Sequence, residues 1–494
     1  MGFDLAVFDQ AAWLISHGQQ PFVTVRGMHI LADHFSLIIY LVAPLYRLWA
    51  DPRTLICVQC TVLMFGAYPV YAFMRFRNVH PTISLFAACC YLLYPPVQHL
   101  ALNEFHPDAI ATTALLFAFL NLERRRLSPM VASLIVACCC KEPVSLTCCF
   151  FGVYALTVDK TFGIAAIGVG LLGTLTAFTV MSHFSHGATT GYIALYKQYG
   201  NSPAHVISHL LKHPAIVAKA LSAPGMQKFI FQLLAPGMFC SLIAPDVLIG
   251  AIPALLVNAL GSRAQLRMLP GHHTAFLTPF VVHGTLIGAL RLKQFARFNA
   301  TIVLCTSIGA CTLLSTAWSP YPVFAGERFR NQSDSAAAET RRLLATIPAD
   351  SAVAADASIL AFLSRRPYVY AFPNPFCKSW YGPGVAAQLQ VESGDFCCDQ
   401  PHLKATAPAG SRVKYIALCR DASAATPSYR QYVADVLTDG SFGIVSVGRH
   451  VLILRRYADI ASGTAMLARY IGQPQITAVK DAYDLWLAAQ FPEM

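Results

Sequence analysis

The N-terminal segment holds side chains that could carry acid–base chemistry. Residues 1–34 contain Asp4, Asp9, Asp33 and His34, and they precede a long series of apolar runs. A carboxylate or an imidazole can take a proton from a hydroxyl that is held against it. We therefore expect residues 1–34 to form a loop on the outer membrane face that carries the reacting group. The local alternatives are a helix N-cap for Asp4 and a structural pair for Asp33 and His34.

A second ionisable group lies between two apolar runs, in the sequence NEFHPD. Its members are Glu104, His106 and Asp108. Charged groups at membrane depth are costly, so they usually have partners or a functional role. Glu104, His106 and His34, with His272 or its neighbour, could ligate a divalent metal, although their spacing is not diagnostic. A divalent metal is therefore possible, and no other cofactor is predicted.

Three cations are candidates for holding an anion. Lys141 lies in a Lys-Glu-Pro turn, and Arg263 and Arg267 lie in a loop that the topology below assigns to the outer face. Basic residues on that face depart from the positive-inside rule, which points to a local task such as holding a phosphate. The alternatives are a local pair between Lys141 and Glu142, and snorkelling of the two arginines to lipid headgroups.

The elements that must position these residues are membrane helices. The chain has 494 residues, of which 55% are hydrophobic and 12% charged, whereas soluble domains carry about 25% charged residues. This composition predicts an all-α polytopic membrane protein with an interfacial helix over 35–50 and outer amphipathic helices over 183–226. About ten spans are expected, at 54–74, 80–97, 109–122, 128–140, 144–158, 161–181, 228–244, 246–260, 274–290 and 299–318.

The charge distribution orients these spans and divides the chain. Basic clusters at 75–77, 123–126, 159–160 and 291–297 all fall on one side, which the positive-inside rule makes cytoplasmic. The net charge of +11 has this origin, and no clustered basic face indicates nucleic-acid binding. We expect a membrane domain over 1–320, a small extracytoplasmic α/β domain over 321–456 and a helical tail over 457–494. One disulfide among Cys377, Cys397, Cys398 and Cys419 is plausible there.

Several motifs resemble one bacterial membrane family, known as domain of unknown function 2079. They are FDLAVFDQAAW, NEFHPD, CKEP, GHHTAFLTPFVVHGTLIGALRL, IPADSAVAA, LSRRPYVYAFP and GIVSVGRHVLILRR. That family is similar to the GT-C glycosyltransferases, which take sugars from polyprenyl-phosphate carriers on the outer membrane face. The resemblance implies a bacterial cytoplasmic-membrane enzyme with a polyprenyl-phosphate sugar donor, an envelope glycan, lipid or protein as acceptor, and membrane lipids around it.

The resemblance also assigns roles to residues. Asp4 matches the acidic position of the first outer loop and would be the catalytic base, with Asp9 as the second candidate. The residues expected to bind substrate are His34, Glu104, His106, Lys141, Arg263, Arg267 and His272. The GT-C pattern places a span before the acidic loop, so we expect about 20 apolar residues to be encoded upstream. The alternative functions are a lipid-carrier or solute transporter and a non-catalytic envelope assembly protein.

Overall fold

The structure is a computed structural model that describes residues 2–185, 191–294, 298–320, 334–376, 412–420 and 427–489. Cys377, Cys397 and Cys398 lie outside these residues, and Cys419 is buried. Helices make up most of the described chain, and a five-stranded sheet follows them.

Residues 2–34 form helices and a short hairpin, and they do not form the loop that the sequence predicts. Helix α1 covers Phe3–Ser16, the short strands β1 (Phe22–Val23) and β2 (Met28–His29) pair antiparallel, and α2 covers Ile30–Asp33. Helix α1 is buried all round, as a helix that carries apolar side chains on every face usually is; its buried apolar residues are Ala6, Val7, Phe8, Ala11, Ala12 and Leu14. The predicted interfacial helix is short, with α3 at Ile38–Val42 and a 3-10 turn at Ala43–Arg47 that has Pro44 near its start.

The helices of the bundle are unequal in length. By length and composition, Arg53–Phe76 and Lys160–Phe184 can each cross a membrane; Pro81–Leu93 and Pro95–Leu102, bent by 50°, form either a broken third span or a re-entrant loop. The bundle helices are α4 (Arg53–Phe65), α5 (Ala67–Phe76), α6 (Pro81–Leu93), α7 (Pro95–Leu102), α8 (Asp108–Glu123), α9 (Leu127–Cys138), α10 (Glu142–Val158), α11 (Lys160–Phe184), α15 (Pro245–Leu248), α16 (Ile252–Leu260), α17 (Thr278–Gln294) and α18 (Phe298–Ser315).

The remaining predicted spans are shorter, and two of them, 228–244 and 246–260, are not single helices; the second consists of α15, a 3-10 turn and α16. Between α11 and α15 lie α12 (Pro203–Lys212), α13 (Pro214–Ser222) and α14 (Pro224–Leu234). The predicted span 228–244 breaks after Leu234 into two 3-10 turns, because Pro236 and Gly237 interrupt the helix. Helices α12 and α13 match the predicted amphipathic segment.

Opposite ends of the bundle carry different polar groups. At one end, ion pairs join Arg77 to Glu123 at 3.0 Å and Arg125 to Asp159 at 3.0 Å, and Arg291 pairs with Asp246 at 2.7 Å. Helix α8 has 16 residues, which at 1.5 Å per residue places Asp108 about 24 Å from that end. The basic clusters and the polar residues around Asp108 therefore lie at opposite ends.

The C-terminal part is a sheet with strand order β4-β3-β5-β7-β6. Strands β3 (Val353–Ala355), β4 (Val369–Ala371) and β5 (Tyr415–Cys419) run parallel, and β7 (Val451–Arg456) pairs antiparallel with both β5 and β6 (Phe442–Val447). Strands β6 and β7 form a hairpin that turns near Gly448. The accompanying helices are α19 (Asp334–Leu344), α20 (Pro427–Thr438), α21 (Ile460–Tyr470) and α22 (Val479–Ala488).

Candidate functional site

A cavity of about 680 Å³ lies at the end of the bundle that holds Asp108. Its walls come from α1, the loop before α8, the turn before α10, the loop around α16 and the residues that follow β3 and β4. Parallel strands present ligand-binding loops at their carboxyl ends, and these are the ends that face this cavity. The predicted site residues that line it are Asp4, His34, His106, Lys141, Arg263 and His272.

Asp4 projects from the first turn of α1 into the cavity. Its side chain is 49% exposed, and Oδ2 lies 3.7 Å from Nε2 of His106. Asp4 lines the cavity, and burial, followed by the charge of Glu104, raises the pKa of Asp4 to about 6. The N-cap of α1 is Gly2, so Asp4 does not have the capping role considered above. Asp4 is therefore positioned to exchange a proton with a molecule in the cavity.

Lys141 is held beside Asp108 and not beside its sequence neighbour Glu142. Its Nζ lies 3.4 Å from Oδ2 and 3.5 Å from Oδ1 of Asp108. Burial disfavours the charge of Lys141, but attraction to Asp108 outweighs burial and raises the pKa of the amine. The two distances are long for a charge-assisted hydrogen bond, for which 2.7–2.9 Å is typical. Lys141 is therefore a charged amine whose hydrogen-bonding capacity is not fully used by Asp108.

Asp33 and His34 are not paired with each other. Asp33 accepts hydrogen bonds from Arg26 at 2.9 and 3.1 Å, whereas Nδ1 of His34 lies 3.2 Å from both oxygens of Glu142. The His34 ring also stacks on Tyr192 at 4.5 Å. Sequence reasoning missed Arg26 and Tyr192 as cavity residues. An arginine inside the acid-bearing segment was the available signal for Arg26, and nothing in the local sequence marks Tyr192.

Histidines form a stack on one side of the cavity. The rings of His106 and His272 lie 3.7 Å apart, and His273 follows at 4.2 Å from His272. Burial lowers the pKa of all three imidazoles, so they are neutral near pH 7. Within the described residues, no group of three or more His, Cys, Asp or Glu side chains is arranged to hold a metal ion.

Three predicted site residues lie outside the cavity wall. Asp9 is 0% exposed and accepts hydrogen bonds from Tyr46 at 2.5 Å and Ser364 at 2.6 Å. Asp9 lies five positions after Asp4 in the helix, a rotation of about 140° that turns it away from the cavity. Glu104 accepts the backbone N–H of Leu5 at 2.9 Å, and so satisfies a free donor in the first turn of α1.

Arg267, the third of them, caps a helix. Its guanidinium donates to the carbonyl oxygens of Asn258 at 3.1 Å and Gly261 at 2.7 Å, at the carboxyl end of α16. Arginines commonly satisfy the free carbonyls at helix ends in this way. Of the two arginines predicted to hold an anion, only Arg263 therefore lines the cavity.

Comparisons with known proteins agree with this architecture. A family profile described as a predicted membrane protein (DUF2079) matches residues 1–433. No curated protein matches the chain. Among solved structures, apo ArnT from Cupriavidus metallidurans is similar with a TM-score of 0.50 at 12% identity, covering 91% of this chain and 92% of that one. The apo oligosaccharyltransferase of Archaeoglobus fulgidus has a TM-score of 0.40 at 11% identity, over 90% of this chain and 69% of that one. Both are GT-C glycosyltransferases, and the likeness to ArnT is one of fold.

Proposed function

The chain belongs to the DUF2079 family of predicted membrane proteins, and we propose that it is a GT-C-type glycosyltransferase that moves a sugar from a polyprenyl-phosphate carrier to an envelope acceptor. One observation carries the proposal: a single cavity brings the carboxylate of Asp4 together with the cations of Lys141 and Arg263. Transfer from a lipid phosphate needs a base for the acceptor and positive charge for the departing phosphate.

The reaction is a single displacement with inversion at the anomeric carbon. The acceptor oxygen attacks that carbon and forms the new glycosidic bond, while the bond from the carbon to the phosphate oxygen breaks. The electron pair of the broken bond stays on the phosphate, which Lys141 and Arg263 stabilise. The acceptor proton passes to Asp4. With a pKa of about 6, Asp4 is ionised at pH 7 yet basic enough to accept a proton.

The positive-inside rule supports an orientation for this chemistry. The end of the bundle with Arg77, Arg125 and Arg291 faces the cytoplasm, and the cavity opens at the outer face of the bacterial cytoplasmic membrane. The sheet lies on the same side as Asp4, because Ala357, Phe372 and Asn374 line the cavity with it. The donor and the acceptor then meet outside the cell.

The proposal is tested by sugar transfer with the full chain in nanodiscs. The donor is undecaprenyl phosphate carrying a radiolabelled sugar, and a membrane extract supplies acceptors. Wild type should remove label from the lipid fraction, and Asp4→Asn should slow this step by 10²-fold or more, as expected for loss of a general base. The matched control is Asp481→Asn, because Asp481 is an exposed carboxylate on α22 far along the chain. Full activity of Asp4→Asn, or no transfer by wild type from any donor sugar, would contradict the proposal.

A binding measurement separates the phosphate site from the chemistry. Undecaprenyl phosphate without a sugar should bind wild type and Asp4→Asn equally and should bind Lys141→Met more weakly. A transporter would instead move the carrier between leaflets, through the end that the ion pairs of Arg77 and Arg125 occupy. Carrier translocation without transfer would favour that alternative, and neither activity would favour the non-catalytic assembly protein.

A further inference from the structure

Helices α12, α13 and α14 form a basic segment that the proposed reaction does not use. Between Lys160 and Asp246 the sequence contains no aspartate or glutamate. The four lysines of this stretch are exposed, and in the described residues none takes part in an ion pair; they are Lys197, Lys212, Lys219 and Lys228. A long stretch of one sign of charge favours an anionic partner.

The same helices expose apolar side chains. Helices α12 and α13 contain no buried residue, and Ile207 is 59% and Leu211 78% exposed. Each of these helices begins with a proline, so the chain turns sharply between short helical segments. Helices with an apolar face and a lysine-bearing face lie in the plane of a membrane interface.

Contacts fix this segment at the end of the bundle that holds the cavity. The hydroxyl of Tyr196 donates to the carbonyl of Val257 at 3.0 Å, and Gln198 donates to Leu260 at 3.3 Å. Tyr94, at the end of α6 remote from Arg77, donates to the Leu233 carbonyl of α14 at 2.7 Å. Tyr196 itself lines the cavity, so the basic helices border its edge.

We propose that α12 to α14 bind the headgroups of anionic phospholipids at the membrane interface beside the cavity. The lysines supply the attraction to headgroup phosphates, and Ile207 and Leu211 insert among the acyl chains. An acidic protein would match the charge, but it would not account for large exposed aliphatic side chains interleaved with the lysines. The inference does not depend on sugar transfer.

The test is native mass spectrometry of the delipidated full chain, titrated with dioleoyl phosphatidylglycerol or dioleoyl phosphatidylcholine. Wild type should bind phosphatidylglycerol more tightly, and K212Q/K219Q/K228Q should weaken that binding by roughly fivefold for each lysine removed. The control K414Q/K480Q removes two exposed lysines of the sheet and of α22 and should keep the preference.

Equal binding of the two lipids by wild type would overturn the inference. So would a triple variant that keeps the preference while its thermal unfolding midpoint matches that of wild type, or binding of a polyglutamate peptide in place of phosphatidylglycerol. No donor or acceptor sugar enters the measurement, so failure of the transferase proposal would leave this result unchanged. Conversely, transfer activity without lipid preference would remove only the lipid inference.

Discussion

At the scale of residues, Asp4 differs from the other acids around the cavity because no side chain in the described part of the chain is within hydrogen-bond distance of its carboxylate. Asp33 is bonded to Arg26, Glu142 lies against His34, and Asp108 lies beside Lys141. The described contact of Asp4 is His106 at 3.7 Å, beyond hydrogen-bond length. A carboxylate without a strong internal bond can exchange protons with a substrate at little cost to the fold.

The pKa of Asp4 predicts how transfer depends on pH. The base must be ionised, so the rate should rise with pH and reach half its maximum near the folded pKa of about 6. The measurement is kcat/KM for sugar transfer between pH 4.5 and 8. A rate that rises as the pH falls through this range would assign the group a role as acid and not as base.

The pKa of Asp4 also predicts how stability depends on pH. The transfer rate should rise with pH, whereas the contribution of Asp4 to stability should fall. The folded pKa of about 6 exceeds the ordinary value of 3.8, so ionisation of Asp4 costs the folded state more than the unfolded state. This cost is absent at pH values below 3.8. It grows as the pH rises from 3.8 to about 6 and is complete at higher pH. Asp4→Asn should therefore raise the thermal unfolding midpoint at pH 8 and lose this advantage near pH 4. Equal midpoints at pH 8 would show that Asp4 ionises freely in the folded protein.

Lys141 and Asp108 can be separated into structural and chemical roles. Lys141→Met leaves Asp108, which is 1% exposed, without its counter-charge, and loss of one partner of a buried pair costs about 3–5 kcal/mol. The double variant Lys141→Met/Asp108→Asn should recover most of that stability, as measured by denaturant unfolding in detergent. Transfer should stay low in both variants, because the phosphate has lost a cation. Recovery of activity in the double variant would make Lys141 purely structural.

At the scale of elements, α1 connects the cavity to the sheet. Its first turn presents Asp4 to the cavity, and its other side presents Asp9 to Ser364 and Gln10 to the carbonyl of Arg366 at 3.1 Å. These bonds are buried and cross more than 300 positions of sequence. The orientation of the proposed base therefore depends on where the sheet is docked.

Removal of the hydrogen bond from Ser364 to Asp9 should lower the free energy of unfolding. Ser364→Ala leaves one oxygen of the buried Asp9 carboxylate without its donor, which costs about 1–3 kcal/mol in unfolding free energy. The control is Ser133→Ala, whose hydroxyl donates only within its own helix, to Pro129 at 2.8 Å, and which should change stability much less. Transfer by Ser364→Ala should fall together with stability. Equal effects of the two serine variants would argue against a special role of this contact.

At the scale of the whole molecule, the orientation follows from the separation of charges between the two ends. The proposed orientation places the sheet and the following helices outside the cell, so a C-terminal alkaline phosphatase fusion should be active and a C-terminal green fluorescent protein fusion dark. Fusions made after truncation at Arg125 should show the reverse. The domain boundaries at 320 and 456 remain predictions. An active phosphatase fused after Arg125 would show that the membrane orientation is the reverse of the one proposed.

The sequence predicts more of the site than of the elements that hold it. Hydropathy and charge bring Asp4, His106 and Lys141 to one end, because turns between apolar runs alternate between the two faces. The sequence predicts a loop over residues 1–34 and offers a helix at Asp4 only as the alternative, so it does not predict that Asp9 points away from the cavity. The buried Arg26–Asp33 pair depends on the hairpin β1–β2, and the lengths of the shorter helices depend on packing. These features arise from tertiary contacts, which local pattern does not encode.

One contact joins the N-terminal segment to the edge strand of the sheet. Strand β4 is at the edge of the described sheet, and edge strands offer free N–H and C=O groups to other chains. The hydroxyl of Thr24 accepts from the N–H of Val369 at 2.9 Å and donates to its C=O at 2.7 Å, and so occupies both groups of that residue. A sheet expressed without the N-terminal segment would leave both groups of Val369 unpaired at this edge, and we expect it to associate with other chains more readily.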